Sequence, residues 1–236
     1  MAGGGSLFLL YCEEKEVDMS LSEEVQRKEA QRTWYATEDG PWCEGLVAYW
    51  RLLKPKRVIL EEDMEALYPE QVQAFDESEW FDFLRERYFR WKYTAPNRYA
   101  STTKWLEGQA EEIGLGGLLG IRDEILVRGA VDTRSGMEAA LKIKGLGPAG
   151  ASGLLSLVFP DRYGAVDQFV VKFLLLVEDL PEAANVEAMN PESLKLDESL
   201  LLLEILQRKA KEMNEEFQMS SWTPRRIDKV LWALGH

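Results

Sequence analysis

The sequence predicts an all-α protein of roughly nine to eleven helices, because apolar residues recur at three- and four-residue intervals along most of the chain. Proline and glycine stand where helices would begin or end, and no paired runs of alternating apolar and polar residues indicate a β-hairpin. With 236 residues, 46% of them hydrophobic, the chain is long enough to bury a core of its own. Residues 1–30 are expected to form an acidic N-terminal tail or arm, and residues 31–236 one helical region.

In the first half of the helical region, an apolar face begins near Trp42 and Pro55 ends the helix that carries it. Residues 57–60 fit either a short strand or another helical turn, and residues 61–63 fit a solvated acidic loop. Aromatic residues then recur at helical spacing over residues 78–88.

In the second half, Ser101–Lys104 has the composition of a helix N-cap. Periodic apolar segments, bounded by glycine, proline or polar residues, predict further helices at 122–127, 137–143, 148–159, 168–177 and 199–217. The last helix has the clearest boundaries, because Thr223 and Pro224 suit the N-cap and first positions and Gly235 suits the end.

The composition excludes several kinds of site. The only histidine is His236 and the only cysteines are Cys12 and Cys43, so four-cysteine metal sites and histidine-based triads are excluded. We therefore expect no metal and no cofactor. The apolar run Leu7–Leu10 is too short for a signal peptide or a membrane span. We expect a cytoplasmic protein with no membrane contact, located at the nucleoid or in a nucleus if it binds DNA.

The most informative stretch is residues 143–152, Ile-Lys-Gly-Leu-Gly-Pro-Ala-Gly-Ala-Ser. Gly145 and Gly147 permit a tight turn between two helices, and Pro148 suits the first position of the second helix. The first amides and the positive dipole end of that helix suit a phosphate group. The same residues also fit a glycine-rich turn that only packs two helices together.

This stretch, followed by Pro160-Asp-Arg-Tyr-Gly-Ala-Val-Asp167 and an apolar helix, resembles the helix-hairpin-helix DNA glycosylases over residues 138–176. The resemblance implies a glycosylase-like helical bundle whose hairpin grips the DNA backbone. The DNA-binding residues that it implies are Lys144, Gly145, Leu146, Gly147, Pro148, Ala149 and Ala151. Asp167 follows Ala149 by 18 residues, the spacing of the family's catalytic aspartate. Ala149 occupies the position of the nucleophilic lysine of bifunctional members, so the resemblance implies a monofunctional enzyme that hydrolyses the N-glycosidic bond.

Two roles are open for Asp167, and they are compatible. An aspartate before an apolar helix is an ordinary N-cap, which contributes about 1 kcal/mol. A carboxylate beside a deoxyribose would also stabilise the positive charge that develops as the N-glycosidic bond breaks, and would orient the attacking water.

Residues 85–104, here called the basic segment, carry six basic residues and the single acid Glu86. Aromatic residues alternate with the basic ones: Tyr88, Phe89, Trp91, Tyr93 and Tyr99. This combination suits phosphate contacts and base stacking, with Arg90, Lys92 and Arg98 as candidate DNA contacts. It suits equally a helix whose rings lie in the core while its arginines reach water.

Two further arginines stand at the start of the last predicted helix. Arg225 and Arg226 would contact DNA or pair with acids between residues 178 and 198.

Three functions remain open on this basis: a DNA-repair glycosylase that uses Asp167, a non-catalytic helix-hairpin-helix module that binds DNA or a nucleotide, and a protein-interaction protein. The chain has 41 acidic and 28 basic residues, a net charge of −13. That charge argues against nucleic acid as a partner and favours a protein partner at the acidic surface. The spacing from hairpin to aspartate and the basic segment favour DNA.

Overall fold

The structure, a computed structural model, describes residues 23–236, and every regular element in that range is helical, which confirms the all-α prediction. The seven N-terminal helices are α1 (Glu23–Trp34), α2 (Gly40–Leu52), α3 (Pro55–Glu65), α4 (Pro69–Ala74), α5 (Glu77–Asp82), α6 (Phe89–Lys92) and α7 (Pro96–Gly129), with a π-helical turn at Phe83–Tyr88 between α5 and α6. The remaining helices are α8 (Thr133–Ala140), α9 (Pro148–Val158), α10 (Gln168–Leu174), α11 (Ala183–Glu187), α12 (Leu196–Glu216) and α13 (Pro224–Leu234).

The predicted N-terminal tail lies largely outside the described residues, as do Cys12 and the run Leu7–Leu10. Helix α1 begins at Glu23 and runs across residue 30, where the tail was expected to end. Among the described residues, no helix has the combination of length and apolar character needed to cross a membrane.

Residues 57–60 are helical and belong to α3, which confirms one of the two alternatives for that segment. Residues 61–63 also belong to α3, so the expectation of a solvated acidic loop there is wrong, and Glu61 is only 3% exposed. Ser101–Lys104 is not an N-cap, because α7 has already begun at Pro96, whose fixed φ suits the first turn of a helix. Helix α7 is itself interrupted at Gly114, where φ is +74°.

The boundaries of α13 agree with the prediction. The Thr223 hydroxyl accepts a hydrogen bond from the Arg226 amide at 3.2 Å, Pro224 occupies the first turn, and Gly235 follows the last residue.

Helix α13 packs against α2, α10 and α12, so it lies in the middle of the fold. Gly45 of α2 lets the helices approach closely, since a Cβ there would lie 2.5 Å from the Val230 side chain.

A buried charge cluster, formed by Glu61, Arg225, Asp228 and Lys229, joins α3 to α13. The Arg225 guanidinium donates to Glu61 at 2.5 Å and to Asp228 at 2.8 Å. Lys229 Nζ lies 3.4 Å from the same Glu61 carboxylate. All four side chains are buried, so Arg225 neither faces DNA nor pairs with acids between residues 178 and 198. Arg226 also lies away from those acids, since it contacts the Trp222 ring and the Ser221 carbonyl.

The surroundings of Glu61 favour its ionised form. Burial alone would raise the pKa of this carboxyl, but Arg225, Lys229 and the indole N–H of Trp91 outweigh burial and lower the pKa below 4.5. A lowered pKa in the folded state means that the protein gains stability from this group above pH 4.5. That gain is lost as the pH falls through the lowered value.

We expect Glu61→Gln to reduce the free energy of unfolding by about 1–3 kcal/mol, because Arg225 and Lys229 each lose one carboxylate partner while Arg225 keeps Asp228 and Lys229 keeps Glu65. The variant should also lose part of the acid sensitivity of the wild type below pH 4.5. Urea unfolding at pH 7 and at pH 4 measures both effects. Glu62→Gln, at an exposed position of the same helix, is the matched control and should remain within about 0.5 kcal/mol of wild type. Equal stability of the two variants would contradict the account.

Candidate functional site

The glycine hairpin, residues 141–147, connects α8 to α9 and turns at Gly145. The φ of Gly145 is +98°, a conformation that favours glycine. A Cβ at this position would lie 2.7 Å from the Thr102 side chain, so the hairpin is pressed directly against α7. The turn predicted from the sequence therefore needs glycine at residue 145 for two reasons: the positive φ and the close approach to Thr102 of α7.

Side chains outside the hairpin fix its backbone. The Gln109 amide donates to the Lys142 carbonyl at 2.7 Å and accepts from the Lys144 N–H at 2.8 Å. The Tyr93 hydroxyl donates to the Gly145 carbonyl at 3.2 Å. Sequence reasoning missed Thr102 and Gln109, since nothing in the local sequence marks a residue that braces a turn more than 30 positions away.

Helix α9 presents its N-terminus beside the hairpin. Gly147 is the N-cap and provides no side-chain cap, and Pro148 has no N–H. The amides of Ala149 and Gly150 therefore have no partner within the helix. Gly150 is buried, so Ala149 is the one of the two that lies at a partly exposed position suited to an anion. Two expected DNA contacts do not fit this surface: the Leu146 side chain is buried, and Ala151 is fully buried with its N–H bonded to Gly147.

Asp167 is the N-cap of α10, as one of its two predicted roles requires. Its Oδ1 accepts a hydrogen bond from the Phe169 amide at 3.0 Å. Its other oxygen, Oδ2, lies 3.6 Å from Lys92 Nζ, and the carboxylate is 23% exposed. Oδ1 therefore caps α10, and Oδ2 faces the ammonium group of Lys92.

The loop before Asp167 is held from two sides. The Asp228 carboxylate accepts from the Ala165 amide at 2.6 Å, and the Ser152 hydroxyl of α9 accepts from the Val166 amide at 3.1 Å. Asp228 belongs to the buried charge cluster, so that cluster positions the segment that ends in Asp167. The sequence alone did not reveal this link between residues more than 60 positions apart.

Lys92 does not lie on an open surface as a phosphate contact would. Its side chain is 11% exposed and faces Asp167. Its methylene stem packs on Gly153 of α9, where a Cβ would lie 3.3 Å from Lys92 Cδ and 3.4 Å from the Trp91 ring. Lys92 is therefore part of the Asp167 site rather than of a separate phosphate track.

The rings of the basic segment mostly belong to the core. Tyr88, Phe89 and Trp91 are buried, and the Trp91 indole donates to Glu61, so these three rings form no base-stacking platform. The cations of the segment differ in environment. Arg90 pairs with Glu86 at 2.8 Å, whereas Arg98 is exposed and lies over the Tyr93 ring, beside the hairpin. At the hairpin itself, Lys144 pairs with Glu112 on the surface.

No family model matches the chain, and no curated protein or solved structure shows significant similarity to it.

We expect Gly145→Ala to destabilise the protein by about 1–3 kcal/mol, because alanine is strained at a positive φ and its Cβ would clash with Thr102. The matched control is Gly147→Ala two residues later, where an added Cβ meets nothing within 4 Å and φ is −92°. Thermal unfolding of the two variants beside wild type measures the difference. A control variant as unstable as Gly145→Ala would contradict a special role for the turn.

Proposed function

We propose that this protein binds DNA through the glycine hairpin and hydrolyses an N-glycosidic bond with Asp167, as a monofunctional helix-hairpin-helix glycosylase would. The observation that carries the proposal is the position of α9 between the two halves of the site. Its N-terminus lies at the hairpin with no side-chain cap, and its Ser152 holds the segment that ends in Asp167. A phosphate clamp and a carboxylate are thus fixed to one rigid helix.

The chemistry of the site is consistent with this reaction. As the N-glycosidic bond breaks, positive charge develops on the deoxyribose, and the Asp167 carboxylate, whose Oδ2 atom also faces Lys92 Nζ at 3.6 Å, would stabilise it. The Oδ1 atom is held by the Phe169 amide, so the orientation of the carboxylate is fixed in advance. The same carboxylate accepts a proton from the attacking water.

Phosphate binding at this face is compatible with the overall charge of −13. Exposed charges are screened beyond about 8–10 Å at physiological salt, so the distant acidic surface repels DNA only weakly. Surface pairs such as Lys144 with Glu112 contribute about 0–1 kcal/mol, and a phosphate group competes with Glu112 for Lys144.

A second candidate is a DNA-binding module without catalysis. The observation in its favour is that the helix cap and the Lys92 pair give Asp167 two structural roles that need no reaction. Variants of Asp167 distinguish the two candidates.

We expect Asp167→Asn to abolish base release while DNA affinity changes by less than about tenfold, since asparagine is an equally good N-cap and only the charge is lost. Base release from duplexes that each carry one modified base, measured beside binding of the same duplexes, tests this expectation. Unchanged base release by the variant would exclude Asp167 as the catalytic group. Binding without base release by the wild type would favour the non-catalytic module.

We expect Arg98→Glu to weaken DNA binding and to reduce the slope of log affinity against log salt by about 0.9, the value for one lost phosphate contact. Lys211→Glu reverses a charge that is 76% exposed on α12 and serves as the control. Fluorescence anisotropy at several salt concentrations gives both slopes. If the two variants bind DNA equally well, the surface around Arg98 is not the DNA interface.

A further inference from the structure

A second group of basic residues lies where α2 ends and α3 begins. Residues 51–57, here called the cationic corner, contain Arg51, Lys54, Lys56 and Arg57 and no acidic residue. The first three are exposed, and within residues 23–236 none of those three forms an ion pair. The corner is therefore a positively charged surface in a chain whose net charge is −13.

The folding of α3 does not by itself favour positive charge at the corner. The N-terminus of a helix carries a partial positive charge, so acidic residues are favoured in its first turn and basic residues are disfavoured. The first turn of α3 nevertheless contains Lys56 and Arg57 and no acidic residue. At the hairpin, by contrast, Lys144 pairs with Glu112. The corner keeps its charge unpaired, as a surface for a negatively charged partner requires.

A first link between the corner and Asp167 runs through α6. The Arg57 guanidinium donates to the carbonyls of Arg90 and Trp91 at the end of that helix. The next residue, Lys92, has its Nζ atom 3.6 Å from the Asp167 carboxylate. The last turn of α6 therefore contacts both the corner and the candidate site.

A second link is a row of aromatic rings. The ring centroid of Tyr49, in the last turn of α2, lies 5.4 Å from that of Trp232. The Trp232 centroid lies in turn 5.6 Å from that of Phe169. The Phe169 amide donates to Asp167, so packed rings connect the end of α2 to the residue that caps α10. Both elements of the corner are thus held beside the carboxylate.

We propose that the cationic corner binds the phosphates of the DNA strand on one flank of the nucleotide at Asp167, while the hairpin binds the other flank. The proposal rests on the proposed function for DNA as the ligand. It adds the course of the strand across the protein. Helix α6 contacts both surfaces, because the Tyr93 hydroxyl that follows it donates to the Gly145 carbonyl of the hairpin.

A double charge reversal, Lys54→Glu with Lys56→Glu, tests the corner and is here called the corner variant. Lys28→Glu with Lys211→Glu is the matched control, because these lysines are 74% and 76% exposed on α1 and α12 and the net charge changes equally. Fluorescence anisotropy with a tetrahydrofuran duplex across a salt series measures both. We expect the corner variant to bind about tenfold or more weakly and the slope of log affinity against log salt to fall by about 1.8, since each lost phosphate contact removes about 0.9. The control should bind as the wild type does.

Shortened duplexes show whether the corner contacts one flank of the DNA. The tetrahydrofuran site is placed close to one end of the duplex or close to the other, so that only one long flank remains. We expect one of these duplexes to bind the wild type and the corner variant equally, because the flank that the corner contacts is missing. The other duplex should keep the difference. Arg98→Glu, on the hairpin side, should show the reverse pattern. A corner effect of the same size on both shortened duplexes would mean general repulsion and would overturn the proposal.

Thermal unfolding separates a binding role of the corner from a structural one. An acidic residue at position 56 suits the start of α3, so the corner variant should unfold at a temperature no lower than the wild type does. Weaker DNA binding together with unchanged or higher stability would support the proposal. A variant that loses both would show that the lysines support the fold, and would overturn it.

The possible outcomes separate this proposal from the one on which it rests. If the wild type binds the tetrahydrofuran duplex and the corner variant binds it as the control does, the role of the corner is overturned and the proposed function stands. If the wild type binds neither this duplex nor an undamaged one, the proposed function fails and the corner proposal fails with it. Sedimentation with vesicles of equal parts phosphatidylcholine and phosphatidylserine tests another anionic partner. Vesicle binding that the corner variant loses, without binding to DNA, would assign the corner to a lipid surface and overturn the proposal.

Discussion

The position of the candidate site depends on one buried guanidinium. Arg225 bonds to Glu61 in α3 and to Asp228 in its own helix, and all three groups are buried. Asp228 uses its other oxygen to hold the Ala165 amide, two residues before Asp167. A charge cluster inside the protein therefore determines where the carboxylate at its surface lies. Removing Arg225 would leave Asp228 buried without an ion-pair partner, which is more costly than losing a surface pair.

Helix α9 transmits this constraint to the hairpin. Its Ser152 holds the Val166 amide on the side of Asp167, and its first turn follows directly from Gly147. On the other side of the hairpin, Gln109 of α7 bonds to two backbone groups of the turn. The first turn of α9, Asp167 and Lys92 thus share one rigid support, as a preorganised site requires.

The conformational preferences of single residues made part of this arrangement predictable from the sequence. The turn at Gly145, the start of α9 at Pro148 and the cap of α13 at Thr223 each follow from the conformational preference of one residue type. Burial was harder to predict, because helical spacing shows which residues share a face but not what covers that face. Glu61 was expected in a solvated loop, yet it pairs with a residue 164 positions away. Lys92 was expected at phosphate and instead faces Asp167.

The proposed DNA site is the face that bears the hairpin and Asp167, and its proposed ligand is DNA with an extruded or missing base. The most direct test is the affinity of the wild type for a duplex with a tetrahydrofuran abasic analogue, compared with the undamaged duplex across a salt series. The account predicts tighter binding of the analogue and a log affinity that falls linearly with log salt. Equal binding of the two duplexes, or no binding to either at low salt, would contradict it.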